Sequence, residues 1–128
     1  MNEVVRTALR ADRELAGPAV TFTISDEMDM LTREPEWLSS DRNAVTVVKT
    51  PNLSVVLAVI RIGARLCGHD VDGPITIQVL SGAVRFGLAA DSKTLRAGTV
   101  IALDKAFPHE IEALENTGLM LRIVREVK

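Results

Sequence analysis

The sequence predicts an all-β protein, a sandwich or barrel of short strands preceded by one short helix. Runs such as AVTVVK, LSVVLAVIRI and ITIQVLSGAVRFGL are short, rich in β-branched residues and bounded by Gly, Pro, Asn or Asp. Turn signals recur between the runs, and no second stretch of helical spacing follows the first. A chain of 128 residues is one domain by length and can bury a core without staples. It carries no repeat of solenoid length and no low-complexity segment.

In chain order, Val4, Val5, Ala8, Leu9 and Leu15 recur at roughly helical spacing, with Asn2 as N-cap and Gly17-Pro18 as a stop. This predicts a short amphipathic helix over residues 3–16 that covers a sheet or a partner subunit. AVTFTI (Ala19–Ile24) reads as a strand. DEMDMLTREPEWLSSDR (Asp26–Arg42) reads as a loop-rich segment broken at Pro35. Trp37 is expected to close one end of the fold or to pack between subunits, with Met28 and Met30 padding the same region.

From residue 44 the strand-like runs follow one another to the C-terminus. Residues 1–43 are therefore an N-terminal extension and residues 44–128 the barrel. Gly63, Gly82 and Gly98 mark its corners, where the backbone must turn sharply. Pro51-Asn52 and Asp91-Ser92 read as further turns.

The totals exclude several classes. The formal charge is −2 with acids and bases interleaved, and no basic patch or RNA-binding signature argues for nucleic acid. The single cysteine, Cys67, excludes an intramolecular disulfide and a multi-thiolate zinc site. The N-terminus is charged throughout and lacks the apolar core of a signal peptide. The longest apolar run, VVLAVI (Val55–Ile60), is too short to span a bilayer. The expectation is a cytoplasmic domain with no membrane partner.

Two segments have a recognisable spacing. The first reads Gly63, ARLCG, His69, Asp70, Val71, DGP, Ile75, TIQVLS, Gly82. The second reads Gly98, TVIAL, Asp104-Lys105-Ala106, Phe107-Pro108, His109. Over roughly residues 44–124 the chain resembles the cupin superfamily, specifically small single-domain bacterial cupins. Its first motif is a glycine, five residues, His-x-His, three or four residues, Glu, six residues and a glycine. Its second is a glycine, five residues, Pro-x-Gly, two residues and a histidine. The resemblance implies a conical double-stranded β-helix, or jelly-roll barrel, often paired as a homodimer through sheet contacts.

In metal-bearing members of that family three histidines and the glutamate converge on one ion. Here only the outer histidines, His69 and His109, remain. The second histidine is Val71, the glutamate is Ile75, and the Pro-x-Gly turn is Asp104-Lys105-Ala106. Read with the longer gap, the acid position becomes Thr76, a poor ligand for a divalent ion.

Strand alternation extends the reading to neighbours. If His69 faces inward, Cys67 and Val71 share its face. Ile75, Ile77 and Val79 then line the interior while Thr76, Gln78 and Leu80 face out, although a bulge would turn Gln78 inward. Ile111 and Ala113 accompany His109 inward, leaving Glu110 and Glu112 outside. The expected ligand pocket is apolar, formed by Cys67, His69, Val71, Ile75, Ile77, His109 and Ile111. Any of Arg61, Arg85 and Arg122 that faced inward would bind a carboxylate or phosphate.

Three readings fit the two histidines. One is a residual metal site of His69, His109, a donor such as Cys67 and water, which suits Zn, Cu or Ni. The second is a metal-free pocket in which the imidazoles bond a small ligand or act as acid and base. The third keeps both as satisfied interior polar groups. A catalytic Cys67 thiolate would need a nearby base, which His69 could supply. The sequence favours a protein that binds a small molecule in the barrel without a full metal site. The alternative is a weakly metal-dependent oxygenase or isomerase using His69 and His109. The cofactor expectation is none, or a weakly bound divalent transition metal.

Overall fold

The computed structural model describes residues 18–68, 73–88, 91–104 and 109–125. The helix expected over residues 3–16 lies outside them. Among the described residues, helices α1 (Ile24–Leu31) and α2 (Pro35–Ser39) come first. Nine strands follow: β1 (Arg42–Thr50), β2 (Leu53–Ile60), β3 (Arg65–Gly68), β4 (Ile75–Ser81), β5 (Ala83–Leu88), β6 (Asp91–Arg96), β7 (Val100–Leu103), β8 (His109–Ala113) and β9 (Thr117–Val124).

The strands form a five-stranded sheet in the order β1-β2-β9-β4-β7 and a four-stranded sheet in the order β3-β8-β5-β6. Every pairing between them is antiparallel. The inward residues of both sheets make one apolar core. Val56, Ile60, Ile75, Ile77, Val79, Leu119 and Leu121 come from the larger sheet, and Leu66, Val84, Phe86 and Ile111 from the smaller. Full burial of each such side chain contributes about 1.5–3 kcal/mol. This core is what holds the two sheets face to face.

The corners fall where the glycines mark them. Gly63, Gly82 and Gly98 all have positive φ, at 87°, 80° and 93°. At Gly82 a side chain would also strike the Asn116 carbonyl oxygen, 2.5 Å from where a Cβ would stand, so the β4–β5 turn needs glycine twice over.

The region before residue 42 differs from the sequence reading. Ala19–Thr23 has no regular structure and no strand partner, and α1 begins at Ile24. The segment read as loop contains α2 and all of α1 except its first two residues. Asp26 and Glu27 occupy the first turn of α1, where carboxylates suit the helix dipole. Leu31 is buried against the outer face of the larger sheet, together with Trp37, Val45, Val47, Leu57, Val59 and Met120. Pro35, taken as a breaker, stands at the start of α2, the helical position where proline is tolerated.

Asn43 fastens these helices to the sheet. Fully buried, its side-chain amide donates to the Leu31 carbonyl at the end of α1 and to Glu34 Oε1, each at 2.9 Å. Its Oδ1 accepts from the Ala44 N–H. Arg61 adds a second tie. Its guanidinium lies 4.1 Å from the Trp37 ring centroid and donates to the Trp37 and Ser40 carbonyls. No helix among the described residues is long and apolar enough to cross a membrane.

Candidate functional site

The site is organised by three neighbouring strands of the smaller sheet. β8 lies between β3 and β5, with Gly68 opposite His109, Leu66 opposite Ile111 and Phe86 opposite Ile111. Alternation along β8 sends His109, Ile111 and Ala113 inward, while Glu110 is exposed and Glu112 half-exposed. His109 is buried, at 8% exposure, and its ring stacks on Phe86 with centroids 5.4 Å apart and planes 11° apart. The ring of Phe86 is itself fully buried. An imidazole is thus fixed against an aromatic wall at one end of the barrel.

On the outer face the acids of β8 are committed elsewhere. Glu112 pairs with Arg85 at 2.9 Å and with Arg65 at 3.8 Å, and Glu110 pairs with Arg65 at 3.6 Å. Arg85 therefore faces out. Arg122 also lies on an outer face, donating to Gln78 Oε1 at 3.2 Å. Together with Arg61 on Trp37, none of the three arginines considered from sequence enters the barrel. The bulge in β4 falls after Val79, past Gln78, so Gln78 keeps its outward direction.

Strand β4 follows the predicted alternation. Ile75, Ile77 and Val79 are buried at 1%, 0% and 0% exposure, and Thr76, Gln78 and Leu80 lie half-buried on the other face. Ile75 pairs with Leu103 and Ile123, and all three belong to the apolar core. The β3–β4 connection returns close to β9 at Gly73, where any Cβ would overlap the Val124 carbonyl.

Cys67 requires a correction. It was expected inside, but Leu66 holds the interior position on β3 and Cys67 is exposed, on the same side as Arg65 and opposite Glu110. The pleat of β3 is set by burial of Ala64 and Leu66, and those two put the thiol outside. A thiol in that orientation is not part of an interior ligand set. His69 and Val71 lie outside the described residues, as do Asp70 and Asp72.

A cupin ion would require donors that these residues do not provide. The position of the family's glutamate holds Ile75, sealed in the core. Among the described residues no three His, Cys, Asp or Glu side chains come together as a metal-binding group. The described part of the site supplies one imidazole and no carboxylate, which does not fit the four-ligand centre.

Phe86 was missed from sequence, although the alternation of Val84, Arg85 and Phe86 already placed it on the inner face. Its contact with His109 depends on the β5–β8 register, which no local pattern encodes.

No protein-family model matches the sequence, and no curated protein matches it. Solved structures do share its architecture. A cupin-2 domain protein from Shewanella frigidimarina superposes with a TM-score of 0.65 at 15% identity, over 81% of this chain and 94% of that one. This is a cupin barrel. KdgF from Halomonas sp. shares the barrel with a TM-score of 0.61 at 21% identity, over 70% of this chain and 85% of the other. Salicylate 1,2-dioxygenase from Pseudoaminobacter salicylatoxidans gives a TM-score of 0.70 at 16% identity over 80% of this chain. This chain spans 34% of the dioxygenase chain. Likeness at these identities extends to the fold, which hosts unrelated activities.

Proposed function

We propose that this cupin binds a small organic molecule at the His109 end of the barrel, without a complete metal site. The observation that carries this reading is the environment of His109. It is a buried imidazole laid flat on Phe86, a ring that belongs to the same apolar cluster as Leu66, Ile75, Ile77 and Ile111. A few polar groups converging on an apolar concavity is the general composition of a small-molecule site. Here Phe86 would hold the ring in place, and the imidazole would meet the ligand's hydrogen-bonding group.

The alternative is a weakly metal-dependent enzyme in which His69 and His109 hold an ion. Ile75 weighs against it, because a core isoleucine replaces the one carboxylate of the family's set. A homodimer is the assembly we propose, read by light scattering as twice the 13.9 kDa protomer mass.

The test is a thermal-shift screen of small carboxylic acids, keto acids and phenols on the wild-type protein and on His109→Phe. Phenylalanine keeps the stack on Phe86 and removes the ring nitrogens. A ligand present at a hundred times its Kd stabilises by about 2.7 kcal/mol. The expected result is compounds that raise the melting temperature of the wild type and leave His109→Phe unmoved. Equal stabilisation of both proteins by every such compound would overturn the assignment of His109.

A further inference from the structure

A concavity lies past the Ala113 end of β8, the end opposite His109. Its walls come from α1, α2, the end of β4, β2 and the start of β9, and its volume is about 190 Å³. That is room for roughly six waters at ~30 Å³ each, below the range of drug-sized sites. Trp37, Met28 and Val59 make its apolar surface.

Most of the polar rim is engaged in hydrogen bonds within the fold. The Thr117 hydroxyl is engaged with the backbone of Ala83 and Glu115. Thr32 bonds back to the Met28 and Asp29 carbonyls. Asn116 Oδ1 accepts from the Ile62 N–H, and Ser81 Oγ accepts from the Gly118 N–H. Asp29 is different. Among the described residues it is the single charged one of the lining, and its carboxylate enters no hydrogen bond or ion pair with them. The cation nearest the apolar wall, Arg61, is not part of the lining and is bonded to the Trp37 and Ser40 carbonyls.

An unpaired carboxylate beside an apolar, partly aromatic surface selects a ligand with one positive charge and a compact apolar body. We propose that this pocket binds a small organic ammonium ion, with Asp29 pairing to the charged nitrogen and Trp37, Met28 and Val59 receiving the rest. The site is independent of His109 and of whatever the barrel interior takes.

Trp37 is the only tryptophan in the chain, so its fluorescence reports on this pocket alone. The full-length protein is titrated with benzylamine and, separately, with benzyl alcohol, its neutral counterpart of nearly the same shape. The expected result is a saturable fluorescence change with benzylamine at about millimolar Kd or below. Binding weakens at least about tenfold in Asp29→Asn and for benzyl alcohol. Asp29 is exposed, so its substitution leaves the core intact. No saturable response, equal binding of the alcohol, or an unaltered Asp29→Asn variant would each overturn the proposal.

Discussion

The imidazole of His109 lies against the ring of Phe86, their planes 11° apart and their centroids 5.4 Å apart. The two residues come from adjacent strands, and Phe86 also faces Ile111 across the β5–β8 ladder. A stacked pair of this kind is worth ~0.5–1.5 kcal/mol beyond the area it buries.

Phe86 therefore anchors both the core and the imidazole. Phe86→Ala is expected to cost about 3–5 kcal/mol in urea unfolding, the range for a buried phenylalanine. A loss below about 1 kcal/mol would show that the barrel collapses onto the space and that Phe86 is not its keystone.

Ile75 stands where the family places a carboxylate, and its strand partners Leu103 and Ile123 belong with it to the apolar core. Ile75→Glu is expected to destabilise the protein by roughly 3–5 kcal/mol, because the charge is buried without a partner. Addition of Zn or Mn should leave the melting temperature of this variant low. Recovery to the wild-type value on adding metal would mean that the remaining ligands are ready to receive an ion.

Gly118 is held open for Met28. A Cβ there would overlap Met28 Cε and come within 2.9 Å of Ser81 Oγ. Met28 Cε is the end of a flexible side chain and can move aside, so Gly118→Ala should cost about 1 kcal/mol or less, and adding Met28→Ala should recover part of that loss relative to additivity. Strict additivity in the double-mutant cycle would contradict the contact.

Asn43→Ala removes the amide that donates to Leu31 and Glu34 at once. The orphaned Leu31 carbonyl and the lost bonds should lower stability by about 1–3 kcal/mol. Hydrogen exchange should rise first in α1 and α2, while the β2–β9 ladder stays protected. Uniform acceleration across both sheets would place Asn43 in the global core instead of at the helix attachment.

The barrel was readable because its signals are local. β-Branched runs, glycines at positive φ and strict alternation on β4 and β8 each follow from the sequence within a few residues. Those signals placed Ile75, Ile77, His109 and Ile111 on the inner face, where the structure has them. The helices before residue 42 were hidden because their stability is tertiary. α1 is held by packing of Leu31 and by Asn43, twelve residues away from its last carbonyl. Pro35 is ambiguous in isolation, as it can end one helix or begin another. Cys67 was misplaced because the alternation was counted back from His69. The burial of Ala64 and Leu66 sets the phase of β3 from the other direction.

The central claim is a barrel site that works without a complete metal centre. Elemental analysis of tag-free protein, before and after incubation with Mn, Fe, Ni, Cu and Zn followed by exhaustive dialysis, tests it most directly. The same measurement is made on His69→Ala and His109→Ala. The account predicts well under one equivalent of any metal in all three proteins. One tightly held equivalent in the wild type, lost in both variants, would contradict it and make His69 and His109 ligands of a working ion.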